Sequence, residues 1–476
     1  MLFNSIQFAV FFVVVYTLYL VLNHKLQNRM LFVASCIFYG AWSWQFLLLM
    51  FVSITTDFFC AKYIHKSSDN KIRKRLLILN FVVNIGILGF FKYFNFFETN
   101  LQTLLRTFGF SVNTNLLHII LPIGISFYTF QAMSYSFDVY RKQLVPTDSF
   151  LDYGLFVTFF PQLVAGPIER ASHLLPQVIN PRVLSLDQFH EGSYLIFWGL
   201  FQKIFIADNL AKIANSCFLP ADSYNGMAVI LGLYAFAFQI YCDFAGYSNI
   251  ARGLGKLMGF DIMVNFNLPY FATNPSEFWR RWHISLSTWL KDYLYIPLGG
   301  NRKGAIITYR NLAITMFLGG LWHGAAWTFV FWGIYHGILL VVHKAFTPLL
   351  QKIPVIKNYF LERVWFFLRV VFFFHLVCIG WLLFRAQSMG QAYKMLHGLI
   401  LNFQILPGLG IRLMSANLIF FVGLLVAVEV FQFMNKDQMV VFKGNRYFKV
   451  AFYYLCFILV MLWGDFGVNQ FIYFQF

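Results

Sequence analysis

The 476-residue chain is 59% hydrophobic, 21% aromatic and only 12% charged, with a mean hydropathy of +0.64, outside the range of soluble globular domains and within that of polytopic membrane proteins. Its 36 Lys and Arg against 19 Asp and Glu give a formal net charge of +17, which in such a chain reads as basic loops facing anionic lipid and argues against a nucleic-acid partner. The six cysteines stand singly inside apolar runs, without CxxC or Cys/His spacing, so they read as small buried hydrophobes and not as a disulfide framework or a zinc site.

The first apolar run, Ile6 to Leu22, has no basic region before it and no small-residue cleavage site, and reads as a retained span. A basic turn, 23–29, leads to an apolar stretch from Met30 to Ala61, 32 residues long. Roughly 20 residues suffice to cross a bilayer, so GAWSW (Gly40 to Trp44) is expected to break the stretch into a helical hairpin or re-entrant pair. The next loop carries Lys62, Lys66, Lys71, Arg73, Lys74 and Arg75 and is expected on the cytoplasmic side.

Further apolar segments begin near Leu76, Leu116, Leu151, Tyr194, Met227, Ile306, Thr328, Val364, Leu418 and Val450. Several are too short for simple spans, which predicts tilted, broken or half-membrane helices around a polar cavity, because irregular backbone survives at membrane depth only where protein or water covers it. The fold class expected is all-α and polytopic, with roughly 11 or more transmembrane and re-entrant helices. The loop 435–449, with Lys436, Lys443, Arg446 and Lys449, is expected to be cytoplasmic, and the tail from Asp465 to Phe476 to lie outside. No linker or repeat divides the chain, and residues 1–476 read as one domain.

Four polar islands interrupt this apolar body. PIGISFYTFQAMSYSFDVYR (Pro122 to Arg141) reads as hydrogen-bonding glue between helices. FFPQLVAGPIER (Phe159 to Arg170) reads as a helix break with Glu169 and Arg170 at the surface. In FQIYCDFAGYSNIARGLG (Phe238 to Gly255), Gln239 and Asp243 share a helix face, either on a cavity wall or in an interhelical lock.

The fourth island runs from Asn274 to Gly337. In WRRWHISLSTWLKDYLY, residues Trp282, Leu286, Trp289 and Tyr293 recur at helical spacing, with His283 and Ser287 on a neighbouring face. Trp279, Arg280, Arg281 and Lys291 suit an interfacial helix on the cytoplasmic side. His323 sits in GGLWHGAAW, where Gly319, Gly320 and Gly324 leave space for backbone or ligand. Polar groups in so apolar a setting point to function, and the candidates here are Asn274, His283, Ser287, Asp292, Trp322, His323 and His336. If Trp322 to His336 were one continuous helix, His323 and His336 would lie roughly 20 Å apart, too far to act on one bond.

RRWHISLSTWLKDYLYIPLGGNR, LVAGPIER, QIYCDFAGYSNIARG, LWHGAAWTFVFWGIYHG, WLLFRA and the terminal FIYFQF together resemble the membrane-bound O-acyltransferase family, in its bacterial alginate, peptidoglycan and cellulose O-acetylation branch. The resemblance runs essentially end to end. It implies a helix ring, thinned at its centre, through which an acyl group passes from a cytoplasmic thioester donor, acetyl-CoA or an acyl-carrier protein, to an extracytoplasmic acetyltransferase partner and an envelope polysaccharide. It also implies a bacterial inner-membrane location with no bound cofactor. The family's pairing of a histidine in an apolar helix with an earlier polar residue falls on His323 and His283, and a neutral imidazole can carry a proton from an attacking hydroxyl to the leaving thiol. No ligand cluster accompanies these histidines, so no metal is expected.

The last residues, Phe471 to Phe476, are mostly aromatic and are expected to tuck back into the molecule as a plug or a docking strand. The resemblance adds a third role, in which Tyr473 accepts the acyl group as an aryl ester. Two readings from other classes stand beside acyl transfer: a transporter or flippase, which leaves His283 and His323 without a task, and a non-catalytic scaffold of an envelope-modification complex.

Overall fold

In the computed structural model the described residues are 1–110, 119–352, 357–405, 408–467 and 471–472. All regular structure among them is helical. Among the described residues, seven helices are long and apolar enough to cross a membrane, and other apolar segments form shorter helices such as Ile6–Val21. The chain forms two compact units, one from residues 1–196 and 250–263, the other from 197–249 and 264–476.

In the first unit the stretch Met30 to Ala61 breaks where GAWSW stands: helix His24–Gly40 ends, Ala41 to Ser43 turn, and helix Trp44–Lys66 begins. The second of these packs against helices Asn70–Thr107 and Ile125–Tyr140. Polar side chains hold the three together. Asp57 is fully buried and accepts hydrogen bonds from Asn80, Asn84 (3.3 Å) and Ser136 (3.3 Å), while Ser53 donates to Asn84 Oδ1 at 2.5 Å. Ser136 lies in the first polar island, so part of that island is glue, as its composition suggested. The partners Asp57, Asn80 and Asn84 carried no sequence signal, being single polar residues in apolar helices.

The second island departs from expectation. Helix Phe160–Leu163 is followed by irregular backbone, as the prolines predict, but Glu169 is fully buried and not at the surface. Its carboxylate accepts from the Met263 N–H at 2.6 Å and pairs with His173 Nδ1 at 2.8 Å. A buried irregular segment must find partners for its polar groups, and here an acidic side chain supplies the acceptors. The same hydrogen bond holds the His173 imidazole above its ordinary pKa.

The second unit contains helices Ala305–His323, Trp327–Leu350, Tyr359–Arg385, Leu409–Asn435 and Arg446–Trp463. Between Val264 and Gly304 the backbone is built from short pieces. The expected single interfacial helix is broken into Pro275–Arg281, Ile284–Leu290 and a π-helical turn, Lys291–Tyr295. Its apolar stripe is intact, since Trp282, Leu286, Trp289 and Tyr293 are all buried, but the stripe faces protein. Arg280 and Lys291 are exposed, as a surface position requires.

Asp57→Ala leaves three buried donors without their acceptor, each worth about 1–3 kcal/mol when unsatisfied. The expected outcome is a clear fall in the thermal unfolding midpoint in detergent, smaller for Asp57→Asn, which keeps an acceptor; an unchanged midpoint would show that the cluster is not glue.

Candidate functional site

The site is assembled by two helices of the second unit that approach unusually closely. A Cβ on Gly320 would sit 2.4 Å from the Phe329 carbonyl, and one on Gly333 2.4 Å from the Met316 carbonyl. Only glycine fits either position, the small-residue packing that membrane helices use to approach backbone to backbone. Between the helices, Gly324 to Ala326 run extended and reverse the chain. His323, the last residue of one helix, therefore meets Trp332 in the second turn of the next.

Trp322 to His336 is thus not one helix, and the separation of roughly 20 Å that a continuous helix would impose does not hold. The rings of His323 and His336 each lie 4.8 Å from that of Trp332. His336 is 1% exposed, and neither of its ring nitrogens has a hydrogen-bond partner among the described residues. Gly380 makes room for it: a Cβ there would meet His336 Nε2 at 2.7 Å.

His283 stands at the break between the two short helices, fully buried, with φ +43°. A non-glycine residue in the left-handed region is strained and needs local support. Asn265 gives it: its carbonyl accepts the Ile284 N–H at 2.9 Å, and its Oδ1 accepts the Ser285 N–H at 3.2 Å and the Ser285 hydroxyl at 2.9 Å. Since Ser285 gives its proton to Asn265, its oxygen accepts from His283 Nδ1 at 3.4 Å, which leaves the proton on Nδ1 and a lone pair on Nε2. Burial pushes the His283 imidazole down to a pKa of about 3, so it is neutral. Its ring lies 6.5 Å from that of His323 and 4.6 Å from Phe244. Trp322 touches both imidazoles, at 5.9 and 5.1 Å.

The structure therefore brings together His283, His323, Trp322 and His336. Sequence reasoning missed Asn265 and Ser285; Ser285 stands two residues after His283 and was legible, Asn265 was not. Other candidates have separate occupations. Asn274 caps helix Pro275–Arg281, accepting the Glu277 N–H at 2.9 Å. Ser287 donates to the Trp282 carbonyl at 3.1 Å and lines a cavity of about 390 Å³ with Trp279, Arg280, Lys291 and Lys344. Asp292 is half-buried in the π-helical turn. Gln239 and Asp243 are both buried on helix Gly226–Leu257; Asp243 is an interhelical lock, paired with Lys203 at 2.8 Å. Tyr473 lies outside the described residues. No group of three His, Cys, Asp or Glu side chains able to hold a metal gathers among the described residues.

Gly333→Ala pushes a methyl into the Met316 carbonyl and separates the two helices. Overpacking of this kind costs about 1–3 kcal/mol, so a lower unfolding midpoint in detergent is expected; an unmoved midpoint would mean that the helices yield freely.

The membrane-bound O-acyltransferase family profile matches residues 71–384, which include His283, His323 and His336. A probable alginate O-acetylase of Pseudomonas aeruginosa is 44% identical over 398 residues, covering 83% of this chain and 74% of the relative. The peptidoglycan O-acetyltransferase of Helicobacter pylori is 38% identical over 396 residues, 78% of this chain and 73% of the relative. The teichoic acid D-alanyltransferase of Bacillus subtilis is 29% identical over 280 residues, 56% of this chain and 69% of the relative. On the profile match and the two more similar relatives, the chain belongs to the membrane-bound O-acyltransferase family and is a multi-pass membrane acyltransferase.

Proposed function

We propose that this chain is an O-acetyltransferase that passes an acetyl group from a cytoplasmic thioester, acetyl-CoA or a carrier protein, toward a cell-envelope polysaccharide. The observation that carries the reading is the pair of buried imidazoles 6.5 Å apart, His283 neutral and His323 beside it, walled by Trp322, Trp332 and Phe244. Aromatic walls exclude water, which protects a thioester from hydrolysis and strengthens polar contacts inside. The names of the relatives, on alginate and peptidoglycan O-acetylation, supply the acyl group and the class of acceptor.

In this reading His323 is the general base. It takes the proton of an attacking hydroxyl as the oxygen adds to the thioester carbonyl; the tetrahedral intermediate collapses, the C–S bond breaks, and the proton passes to the leaving sulfur. His283, fixed by Ser285 and Asn265, orients the reactants through its Nε2. The donor fits the cavity beside helix Ile284–Leu290: Trp279 on its wall also touches Trp332 and His336, and Arg280, Lys291 and Lys344 offer cations to a donor's phosphates. The acceptor hydroxyl is assigned to Tyr473, which would hand the acetyl on to an extracytoplasmic transferase partner; its neighbour Ile472 is buried in the same unit.

The remaining topology belongs to the same proposal: residues 1–476 work as one acyltransferase domain, a ring of spanning and re-entrant helices around a thinned centre in the inner membrane, with the basic loops cytoplasmic and the tail outside. The family match from 71 to 384 draws on both compact units, which favours one working domain.

His323→Ala is expected to reduce polysaccharide acetylation about 10²–10⁴-fold while the protein still accumulates in the membrane, measured as base-released acetate from envelope glycans. Normal acetate release by that variant would end the assignment. His283→Ala is expected to be severe but incomplete, as orienting groups leave residual rate. Tyr473→Phe keeps the ring and removes the hydroxyl, so it should abolish transfer; if glycans remain acetylated, the acyl group crosses by another route.

A further inference from the structure

We propose that the buried Lys203–Asp208–Asp243 cluster is a latch for the chain's own C-terminal segment, and that it holds Phe471 against the aromatic wall of His283. Lys203 Nζ bridges Asp208 Oδ1 at 2.9 Å and Asp243 Oδ1 at 2.8 Å, and all three side chains are buried. Two carboxyl groups share one ammonium, and Asp208 Oδ2 has no hydrogen-bond partner among the described residues. Buried carboxylates in this state call for further donors. One comes from the tail: the Ile472 N–H donates to Asp243 Oδ2 at 2.7 Å.

That bond belongs to a series. From Trp463, the last residue of helix Arg446–Trp463, to Asp465 the chain is tied to residues 204–212 at three points. Asn209 Nδ2 donates to the Trp463 carbonyl at 2.8 Å, the Asp465 N–H donates to the Ile204 carbonyl at 3.0 Å, and Lys212 pairs with Asp465 at 3.1 Å. Ile204 lies in a π-helical turn, Phe201–Ala207, a geometry that recurs where a helix serves a purpose beyond packing. At the far end Phe471 and Ile472 are each 2% exposed. The Phe471 ring lies 5.6 Å from Phe244 and 5.2 Å from Tyr247, and Phe244 in turn packs on His283. Asp243 and Lys203 are thus positioning residues. Their effect on turnover rests on the proposed acyl-transfer role of the histidines; the docking itself does not.

The test uses full-length chain in native membranes, with the six cysteines replaced by alanine and a single Phe471→Cys reporter. Maleimide labelling should be slow with the latch intact. Asp243→Leu removes the acceptor, and Ile472→Pro removes the N–H donor without touching the ion pairs, so it reports even if Asp243→Leu fails to fold. Each should raise labelling about ten- to a hundredfold, the range for losing a hydrogen bond to a charged group; Ile472→Ala keeps the N–H and should stay protected. Continued protection in Ile472→Pro overturns the latch. Without the reporter cysteine, Ile472→Pro should also lower acetylation through kcat with donor KM unchanged, and full acetylation despite a released tail overturns the positioning role. His323→Ala should leave the reporter protected, so the labelling arm tests the latch whatever becomes of the acyl-transfer reading.

Discussion

The approach of Gly320 to Gly333 is the constraint from which the candidate site follows. With a carbonyl waiting 2.4 Å from either missing Cβ, the two helices can lie this close only as glycine, and the chain must reverse within the three residues between them. The reversal sets an imidazole at the end of one helix against Trp332 on the other, and His336, one turn further, packs on the same indole. The distance between these two histidines is a property of the turn and not of their spacing in sequence. Gly380 extends the same logic to a third helix, where the absent side chain is the space that His336 fills.

His283 reaches the site by the opposite means, through strain that its neighbours hold in place. A left-handed non-glycine residue costs about 1–2 kcal/mol, while a typical hydrogen bond contributes about 0.5–1.5 kcal/mol net, so the three bonds accepted by Asn265 are enough to offset the cost. The gain is directional. With φ at +43° the chain turns at His283 instead of continuing as a helix, and the ring packs against Phe244, Trp322 and His323.

What the sequence made legible follows from how local each cause is. The break at Gly40 to Trp44 was readable because glycine and serine act on their own residues, and the burial of Trp282, Leu286, Trp289 and Tyr293 was readable because helical spacing aligns them. The break at His283 was not: the apolar stripe stays in phase across it, and its support comes from Asn265, 18 residues earlier and outside any pattern. Glu169 was misjudged for a similar reason. Its partner His173 stands only four residues on, but the Met263 N–H that completes its burial lies 94 residues away. His283 and His323 themselves stood out because polar residues between tryptophans and glycines are costly in an apolar chain.

Two kinds of buried polar group stand out among the described residues. Asp57 with its asparagines, Glu169 with His173, and Lys203 with its two aspartates answer one another, donor to acceptor, and each such set ties separate segments together. His283, His323 and His336 are packed against aromatic rings. Neither ring nitrogen of His336 has a hydrogen-bond partner among the described residues, and a buried polar group left so costs stability. Under the proposed function, acyl transfer is the reason for imidazoles at these positions. The latch at Asp243 joins the two kinds: an answered charge cluster holds one end of a tail segment whose other contact, Phe471 on Phe244, reaches the aromatic wall of the imidazoles.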